Sequence, residues 1–573
     1  MKNTINLVTT LAIGTSLLCS TSVFAQSGNI AREDTVIFDS SRAMKDPTNF
    51  NIFRPDEIRD VGLHQAVFEP LFILNYNTGE VEPWLGLSMT SNATLDEWTL
   101  TLRDGVKWSD GEAFNADDVV FTINMLLSDD DKSLRDAGSI QSQVASVEKV
   151  DDLTVAFKLK AANPTFQSAN FAVSYFGSVL MMPEHLWANQ DPDTFAFNPP
   201  IGTGAYTLSQ AASDRLVYDL NEDYWGVSTG FVDMPEPKRL IWTHAGNEEA
   251  RSQLMVSDKL DIAQSVSYGT FDAIQAMNQN VIGWSEELPG WQDLCPRQIE
   301  FNTTVAPWDD PNMREAVNLL IDRNQIVNVA YEGATSVSRT MFVEYGTMAP
   351  YINAVLDAGL TLPTSANVPA AQALIEAAGY SKNGDGMYEK DGKLLSADIV
   401  AHTNGTESTK TIDIVVEQLR RAGIDAVTRP VEYGAFWQVT PKGDFELSYS
   451  WLSCGSVNEP TKSMSRYLSS HIKPIGERIF NNAARWENAA YSDLVSQMGS
   501  LSLDDPKLTS LVVDAYKILH EQKPFIPMVQ AVKILPTNTT YWTGWPTSEN
   551  FYNHPSHWWG HTHQIIHNLS KSN

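Results

Sequence analysis

The chain has 573 residues, 43% of them hydrophobic and 10% aromatic, which is enough for a large packed core divided over two or more lobes. Its formal net charge is −30 at pH 7, so nucleic-acid binding, which depends on basic surface, is not expected. Such acidity is typical of a protein that stays soluble in an extracytoplasmic or saline environment.

The N-terminal residues predict a secretory signal peptide. Lys2 supplies a positive charge, a mostly apolar run follows over residues 5–19, and Val23-Phe24-Ala25 offers a cleavage site. The apolar run is too short to span a bilayer. Cys19 lacks the preceding small residue that a lipoprotein cleavage site needs. We therefore expect cleavage after Ala25 and a free, periplasmic protein.

The most patterned stretch of the chain runs from residue 98 to residue 122. Apolar and polar residues alternate from Trp98 to Leu102, which predicts a half-buried strand. Ser109-Asp110-Gly111 has the composition of a turn. Asn115 then stands at the cap position of a helix whose first turn carries two aspartates. None of these parts is catalytic machinery, so we interpret the stretch as a structural signature.

The same stretch has the pattern W-T-L-x-L-R-x-G-V-K-W-S-D-G-E-x-F-x-A-D-D-V-V-F-T. It closely resembles the signature of the solute-binding proteins of peptide, nickel and oligosaccharide ABC importers. A match in identity and spacing over about two dozen positions is far more specific than a short motif. Further segments resemble the family in the same order, at residues 199–206, 221–226, 310–323 and 371–380. The resemblance covers essentially the whole mature chain.

This resemblance implies an α/β fold with the two-lobed periplasmic-binding-protein type II architecture, an enlarged first lobe and a ligand cleft between the lobes. Helix–strand alternation in residues 409–451 also favours an α/β second lobe. The expected segments are a signal peptide at 1–25, the N-terminal part of the first lobe at 26–301, the second lobe at 302–528 and a C-terminal return to the first lobe at 529–573.

The function implied by the resemblance is ligand capture for an ABC importer, by closure of the two lobes around the ligand. The partners would be the membrane permease and ATPase subunits, the protein itself would be a monomer, and no cofactor is expected. The sequence has no G-x-S-x-G or H-E-x-x-H motif, so we do not expect an enzyme such as an extracytoplasmic glycosidase.

Two segments bear on the ligand. Peptide-binding members of the family look like W-C-A-D-Y-N-E-P-T near residues 451–461, where their Asp pairs with the α-ammonium of the peptide. Ser456 stands at that position here, and a buried ammonium without a carboxylate partner is unfavourable. Residues 538–558 are similar to the cello- and chitin-oligosaccharide-binding branch. We therefore expect a neutral oligosaccharide, with an oligopeptide as the alternative.

Five residues are predicted to bind this ligand. Trp545 matches the tryptophan that stacks on a sugar ring in the oligosaccharide branch, and Asn404 aligns with a polar cleft position of the chitin-oligosaccharide binders. Trp451 precedes the ligand-facing segment, Trp291 precedes the crossover strand, and His64 lies on a loop that borders the cleft in the family. Aromatic platforms with a few polar groups suit pyranose rings. Packing at the hinge remains the alternative for Trp545, and a surface or core position remains the alternative for Trp291.

Cys295 and Cys454 are the two cysteines left after the expected cleavage. An oxidising compartment permits a disulfide between them, and two buried thiols are the alternative. The resemblance favours the disulfide, because Cys454 matches the cysteine in the family's W-C-A-D segment.

A cluster of histidines near the C-terminus offers a competing interpretation. Imidazoles at such spacing could bind a transition metal, and the family includes nickel carriers. The surrounding Pro and Trp match the sugar-binding branch instead, so no metal site is predicted. The histidines are His554, His557, His561, His563 and His567.

Overall fold

The computed structural model describes residues 30–44, 46–54, 59–174, 178–403, 406–451, 454–479 and 481–572. The expected signal peptide and Asn404 lie outside these residues. No helix in the described part of the chain is long and apolar enough to cross a bilayer.

The strand and helix predicted for the signature stretch are both confirmed. The strand Glu97–Leu102 buries alternate side chains, beginning with Trp98. The helix Ala116–Leu127 begins after Asn115, whose side chain accepts a hydrogen bond from the backbone N–H of Asp117. The signature therefore forms one strand–turn–helix unit of the first lobe.

The first lobe is built on two four-stranded sheets and several small ones. The first large sheet has the strand order Thr35–Asp39, Arg239–Thr243, Arg215–Leu220, Tyr206–Ala211. The second has the order Gly86–Ser91, Glu97–Leu102, Thr154–Leu159, Val144–Asp151. The smaller sheets consist of Val81–Pro83, Phe72–Leu74 and Ala172–Val173, of Val281–Ile282 with Thr537–Asn538, and of Trp542–Thr543 with Ser570–Lys571.

Short helices cover these sheets, and one large apolar core fills the space between them. The last helix of the chain packs back into this core, so the C-terminal segment belongs to the first lobe. The helices are Ala116–Leu127, Ala137–Gln143, Phe166–Asn170, Glu184–Trp187, Trp225–Ser228, Glu248–Val256, Tyr268–Met277 and Thr562–Asn568, with shorter turns at Arg32–Asp34 and Leu63–Val67.

The second lobe contains a mixed five-stranded sheet with helices around it. The strand order is Asp425–Val431, Ser396–His402, Leu447–Ser450, Arg297–Phe301, Phe525–Val529. A small sheet adds Ser381–Lys382, Tyr388–Lys390 and Lys393–Leu394. The helices are Pro311–Leu320, Arg323–Ala330, Ala349–Asp357, Val368–Ala377, Thr406–Ala422, Tyr433–Val439, Thr461–Ser465, Ala489–Met498 and Lys507–Gln522, with shorter turns at Gly346–Met348, Thr440–Lys442 and Ser469–His471.

Two antiparallel strands, Gly290–Gln292 and Val532–Ile534, carry the chain between the lobes. The next strand, Arg297–Phe301, already pairs with Leu447–Ser450 and Phe525–Val529 of the second-lobe sheet. The boundary expected after residue 301 is therefore placed too late. The chain enters the second lobe before residue 297, because all five residues of this strand are buried among second-lobe neighbours.

Candidate functional site

A cavity of about 500 Å³ lies between the two lobes, next to the crossover strands. This interlobe cavity falls within the size range of small-molecule sites, about 300–1,000 Å³. The first lobe contributes the starts of two helices, capped by Asn247 and Ser267. The second lobe contributes the end of the helix Arg323–Ala330 and the start of the helix Thr406–Ala422. A ligand in the cavity would touch both lobes.

The walls of the cavity carry charged side chains of both signs. Few aromatic rings accompany them, and Trp451 is the tryptophan in the lining. The charged residues are Glu248, Arg251, Arg297, Glu332, Glu407, Lys410 and Lys533, and the aromatic ones are Tyr268, Tyr331 and Trp451.

Most of the charges in the first-lobe wall are already paired. Arg251 Nε donates to Asp39 Oδ2 over 3.0 Å. Glu248 accepts hydrogen bonds from the backbone N–H of Ser267 at 2.9 Å and from its hydroxyl at 2.7 Å. Burial raises the pKa of Asp39 even though Arg251 counteracts it. These groups shape the wall and leave little capacity for a ligand charge.

The second-lobe wall combines one tight ion pair with a looser group of charges. Lys410 Nζ lies 2.9 Å from Glu332 Oε1. Arg297, which is 1% exposed, donates to the carbonyl of Cys295 at 2.6 Å. Its guanidinium carbon lies 5.2 Å from the centre of the Trp451 ring, within cation–π range. The looser charges are therefore concentrated around Arg297.

A disulfide between Cys295 and Cys454 borders this region. It connects the crossover segment to the loop that follows the strand Leu447–Ser450. The carbonyl of Cys295 is the acceptor for Arg297, and Cys454 Sγ lies 3.4 Å from the carbonyl of Trp451. The bridge therefore holds together the two segments that present Arg297 and Trp451 to the cavity.

Comparison with known proteins identifies the family. The profile of bacterial extracellular solute-binding proteins, family 5 Middle, matches residues 80–473. The chain belongs to this family. The family comprises extracellular or periplasmic substrate-binding proteins of ABC importers rather than enzymes. Its members work with the permease and ATPase subunits of the importer.

Two curated relatives show how broad the similarity is. This solute-binding protein is 24% identical to the nickel-binding periplasmic protein of Escherichia coli K12 over 79% of its own length and 84% of that protein. It is 25% identical to the glutathione-binding protein GsiB of Salmonella typhi, over 84% of its length and 87% of that protein. The two relatives are named for different ligands, so membership of the family does not identify the ligand of this chain.

A solved structure confirms the two-lobed α/β fold. The mannohexaose-bound periplasmic oligopeptide-binding protein of a Thermotoga maritima ABC transporter superposes with a TM-score of 0.80 at 22% identity. The superposition covers 95% of this chain and all of that one. At this level of identity, the likeness concerns the fold.

Among the residues predicted to bind ligand, Trp451 lines the interlobe cavity of this solute-binding protein. It is half-buried, and its ring packs edge-on against the ring of His402, with the centres 4.5 Å apart. Asn404 is outside the described residues. The predicted role of Asn404 therefore stays a prediction.

The structure places the other three predicted residues in the core of the first lobe, outside the cavity lining. Trp545 is 3% exposed; its indole N–H donates to the carbonyl of Trp542, and Phe38 packs edge-on against it. Trp291 stacks on the imidazole of His554, with ring centres 4.9 Å apart. Ligand stacking by these rings stays a prediction that would require protein contacts to open.

His64 and four of the C-terminal histidines are buried in this lobe, whereas His567 is half-buried; the four are His554, His557, His561 and His563. His64 Nε2 is 2.9 Å from the carbonyl of Trp558. The rings of His554 and His561 lie against each other, with centres 3.4 Å apart. Burial lowers the pKa of both, so they are neutral at physiological pH. Among the described residues, no group of three or more His, Cys, Asp or Glu side chains could hold a metal ion.

Three residues of the cavity lining are not among those predicted from the sequence: Arg297, Glu407 and Lys410. One signal was available in the strand Arg297–Phe301, which carries Arg297 and Glu300 although every residue in it is buried. Charged residues in a fully buried strand need partners, so they point to an ion-pair network or a site. Glu407 and Lys410 look like ordinary polar residues of an amphipathic helix, and only the fold brings them to the cavity.

Proposed function

We propose that this protein is the receptor of an importer of small peptides or related amino-acid compounds. The observation that carries this proposal is the interlobe cavity, which both lobes enclose with charged groups of both signs. The glutathione named for GsiB is a compound of this kind. A volume of about 500 Å³ suits a ligand of two or three residues better than a long oligomer.

The cavity suits a peptide better than a neutral sugar because its lining has more charged than aromatic side chains. A neutral sugar would displace water from buried charges while offering them only hydroxyl groups, and unpaired charges are costly to desolvate. A peptide brings an ammonium and a carboxylate, which can replace the lost water with charge-assisted hydrogen bonds. The cavity therefore favours a ligand with ionised groups.

The serine at position 456, where peptide-binding members have an aspartate, argues less strongly against a peptide ligand than the sequence alone implies. Its hydroxyl donates to Asn458 Oδ1 at 2.7 Å, and Asn458 Nδ2 donates to the carbonyl of Gly79 in the first lobe at 2.8 Å. Ser456 does not line the interlobe cavity. The missing aspartate therefore removes one route of ammonium recognition, and the cavity offers other carboxylates.

A neutral oligosaccharide is the second candidate, and Trp451 is the observation that favours it. Its half-buried ring on the cavity wall could stack on a pyranose face. The Thermotoga maritima protein with bound mannohexaose gives a precedent for a sugar in this fold. In the present cavity, a sugar would have to bind with Trp451 as its single tryptophan stacking platform.

Thermal-shift measurements on the mature, ligand-depleted protein would separate the two candidates. A ligand that binds the folded state raises Tm by mass action. We expect a rise with a mixture of di- and tripeptides that includes γ-linked ones such as glutathione, and none with cello-, chito- or manno-oligosaccharides. A rise with a sugar alone, lost in Trp451→Ala and retained in the control Trp284→Ala outside the cavity, would overturn the peptide proposal.

A further inference from the structure

Arg297 and Glu407 face each other on the second-lobe wall of the cavity without a hydrogen bond. Arg297 Nη2 lies 3.8 Å from Glu407 Oε1, beyond the usual N–H···O range of about 2.7–3.2 Å. Among the described residues, none accepts a hydrogen bond from the buried Arg297 Nε. The guanidinium is thus fully buried, borders a cavity and retains unused donor capacity.

The charges around this pair are balanced. Asp293 Oδ2 lies 3.7 Å from Arg297 Nη1 and 3.5 Å from Lys533 Nζ. The group therefore holds two cations and two carboxylates, all at ion-pair rather than hydrogen-bond distances. A ligand that carried a carboxylate alone would leave an excess of negative charge, whereas a zwitterion would preserve the balance.

Arg297 and Glu407 also differ in how freely their side chains can move. Arg297 is fixed by its bond to the carbonyl of Cys295 and by the Trp451 ring below it. Glu407 lies in the first turn of the helix Thr406–Ala422, and its side chain is 33% exposed. A change of Glu407 rotamer can widen the gap while Arg297 stays in place.

We propose that Arg297 and Glu407 together bind an α-amino-acid head group, with its carboxylate on the guanidinium and its ammonium on Glu407. This inference rests on the proposed function and narrows its ligand class. The guanidinium fork matches a carboxylate, and the remaining carboxylate accepts from an ammonium. The Trp451 face can pack against the aliphatic part of the ligand.

The proposal restricts how the ligand is linked. In an ordinary peptide, the free ammonium and free carboxylate are separated by about 3.3–3.6 Å for each residue of extended chain. Both groups can reach one Arg–Glu pair only when they share an α-carbon. The expected ligands are therefore free amino acids or peptides linked through the side chain of their first residue, such as γ-glutamyl peptides.

Two isomers provide a matched test of this linkage. γ-Glutamyl-alanine and α-glutamyl-alanine have the same atoms and the same charges, but only the γ isomer keeps the ammonium and a carboxylate on one carbon. Calorimetric titration of the ligand-depleted protein is expected to show at least tenfold tighter binding of the γ isomer. Equal affinity, a preference for the α isomer, or failure of the γ isomer to bind would overturn the inference.

The same titrations keep this inference separate from the proposed function. Binding of the α isomer, or of mixed ordinary tripeptides, without a γ preference would leave the peptide receptor standing and remove the head-group site. Failure of every peptide together with binding of a neutral oligosaccharide would overturn both.

Variants test the two residues individually. Glu407→Gln and Arg297→Lys are each expected to weaken binding of γ-glutamyl-alanine at least tenfold, since lysine lacks the guanidinium fork. Arg421→Gln, which removes an exposed ion pair to Glu417 on the same helix, is the matched control and should bind normally. If Arg297→Lys does not fold, the half-exposed Glu407→Gln still decides the outcome, because unchanged affinity in that variant contradicts the proposal.

A thermodynamic cycle that combines Glu407→Gln with N-acetyl-γ-glutamyl-alanine tests whether Glu407 contacts the ligand ammonium directly. Acetylation removes the ammonium, so it should weaken binding to the wild type strongly and to Glu407→Gln only slightly. Additive losses from the acetyl group and the mutation would mean that Glu407 does not touch the ammonium.

Discussion

Buried histidines are the most unusual residues of the first lobe. Burial lowers the pKa of His557 and of His567 to about 4, and that of His563 to about 3. Their rings lie among tryptophans and phenylalanines and bond mainly to backbone carbonyls, such as that of Asp39 for His557. These rings therefore behave as aromatic packing residues with few polar contacts, and only in the neutral form.

This arrangement makes stability depend on pH. The pKa of His557 is about 4 in the folded state and about 6.5 in the unfolded state. Between these values the unfolded state binds a proton that the folded state does not, so the free energy of unfolding falls as pH falls. The full stabilisation is present above about pH 6.5. One such histidine can cost up to about 3 kcal/mol across this window.

The variant His557→Gln should remove this contribution. We expect its free energy of unfolding, measured by urea denaturation, to fall less than that of the wild type between about pH 7 and about pH 4.5. Comparison with the wild type is needed because Asp261, whose pKa burial raises to about 6, has the opposite effect. Parallel pH profiles for the two proteins would contradict the buried, neutral state of His557.

The tryptophans show what residue type alone can predict. Trp545 and Trp451 are both apolar platforms with one N–H donor, and the sequence favours both as ligand contacts. The fold surrounds Trp545 with core residues and leaves Trp451 at the cavity. A core and a binding cleft demand the same side chain, so only the tertiary arrangement separates the two roles.

The capped helix of the signature stretch is the element whose contacts are most completely defined. Asp118 is buried, and its carboxylate accepts hydrogen bonds from the backbone N–H groups of Asn115 at 3.0 Å and Glu184 at 2.9 Å. The indole of Trp108 adds a third bond at 3.2 Å. One side chain thus joins the turn, the helix and a neighbouring segment.

Asp118→Ala should lower the free energy of unfolding by about 2–4 kcal/mol, because it leaves three donors without their acceptor. Asp117→Ala is the matched control on the next residue. Its side chain is 47% exposed and pairs with Lys149 on the surface, so a loss within about 1 kcal/mol is expected. If urea denaturation showed equal losses of unfolding free energy for the two variants, the buried contacts of Asp118 would contribute no more to stability than the exposed ion pair of Asp117.

The disulfide gives a second prediction for a single structural element. The bridge joins residues 159 positions apart, and cross-links of this kind typically stabilise a protein by about 2–5 kcal/mol. The double variant Cys295→Ser, Cys454→Ser should lose stability in that range in denaturant titrations. Thiol titration of the unfolded mature wild type, which lacks Cys19, provides the control: free thiols would show that the bridge does not form in solution.

Elements with regular patterns could be predicted, and crossings between lobes could not. Alternation and capping residues predicted the strand Glu97–Leu102 and the helix Ala116–Leu127 because both signals are local. The boundary expected after residue 301 places the strand Arg297–Phe301 in the first lobe, whereas the strand pairs with second-lobe strands. Its own sequence does not show which sheet it joins. The Arg297–Glu407 site could not be predicted for the same reason. These two residues come together only when the strand Arg297–Phe301 and the distant helix Thr406–Ala422 pack in one lobe.

At the scale of the whole molecule, contacts between the lobes determine how firmly the cavity is closed. Glu332, in the second lobe, accepts a hydrogen bond at 2.9 Å from the backbone N–H of Gly269, in the first lobe. The same carboxylate pairs with Lys410, and the hydrogen bond to Lys410 lowers the pKa of Glu332. Asn458 forms another link between the lobes, through the carbonyl of Gly79.

Contacts that exist only in the closed form shift the equilibrium towards closure and raise ligand affinity. Glu332→Ala removes the link to Gly269 and should weaken ligand binding by roughly fivefold, which corresponds to about 1 kcal/mol. Small-angle scattering of the ligand-free variant should show a larger radius of gyration than that of the wild type. Lys410→Gln removes the ion pair but keeps the acceptor for Gly269, so a much smaller change is expected. If both variants behave alike, the ion pair within the second lobe, and not the bond between the lobes, governs closure.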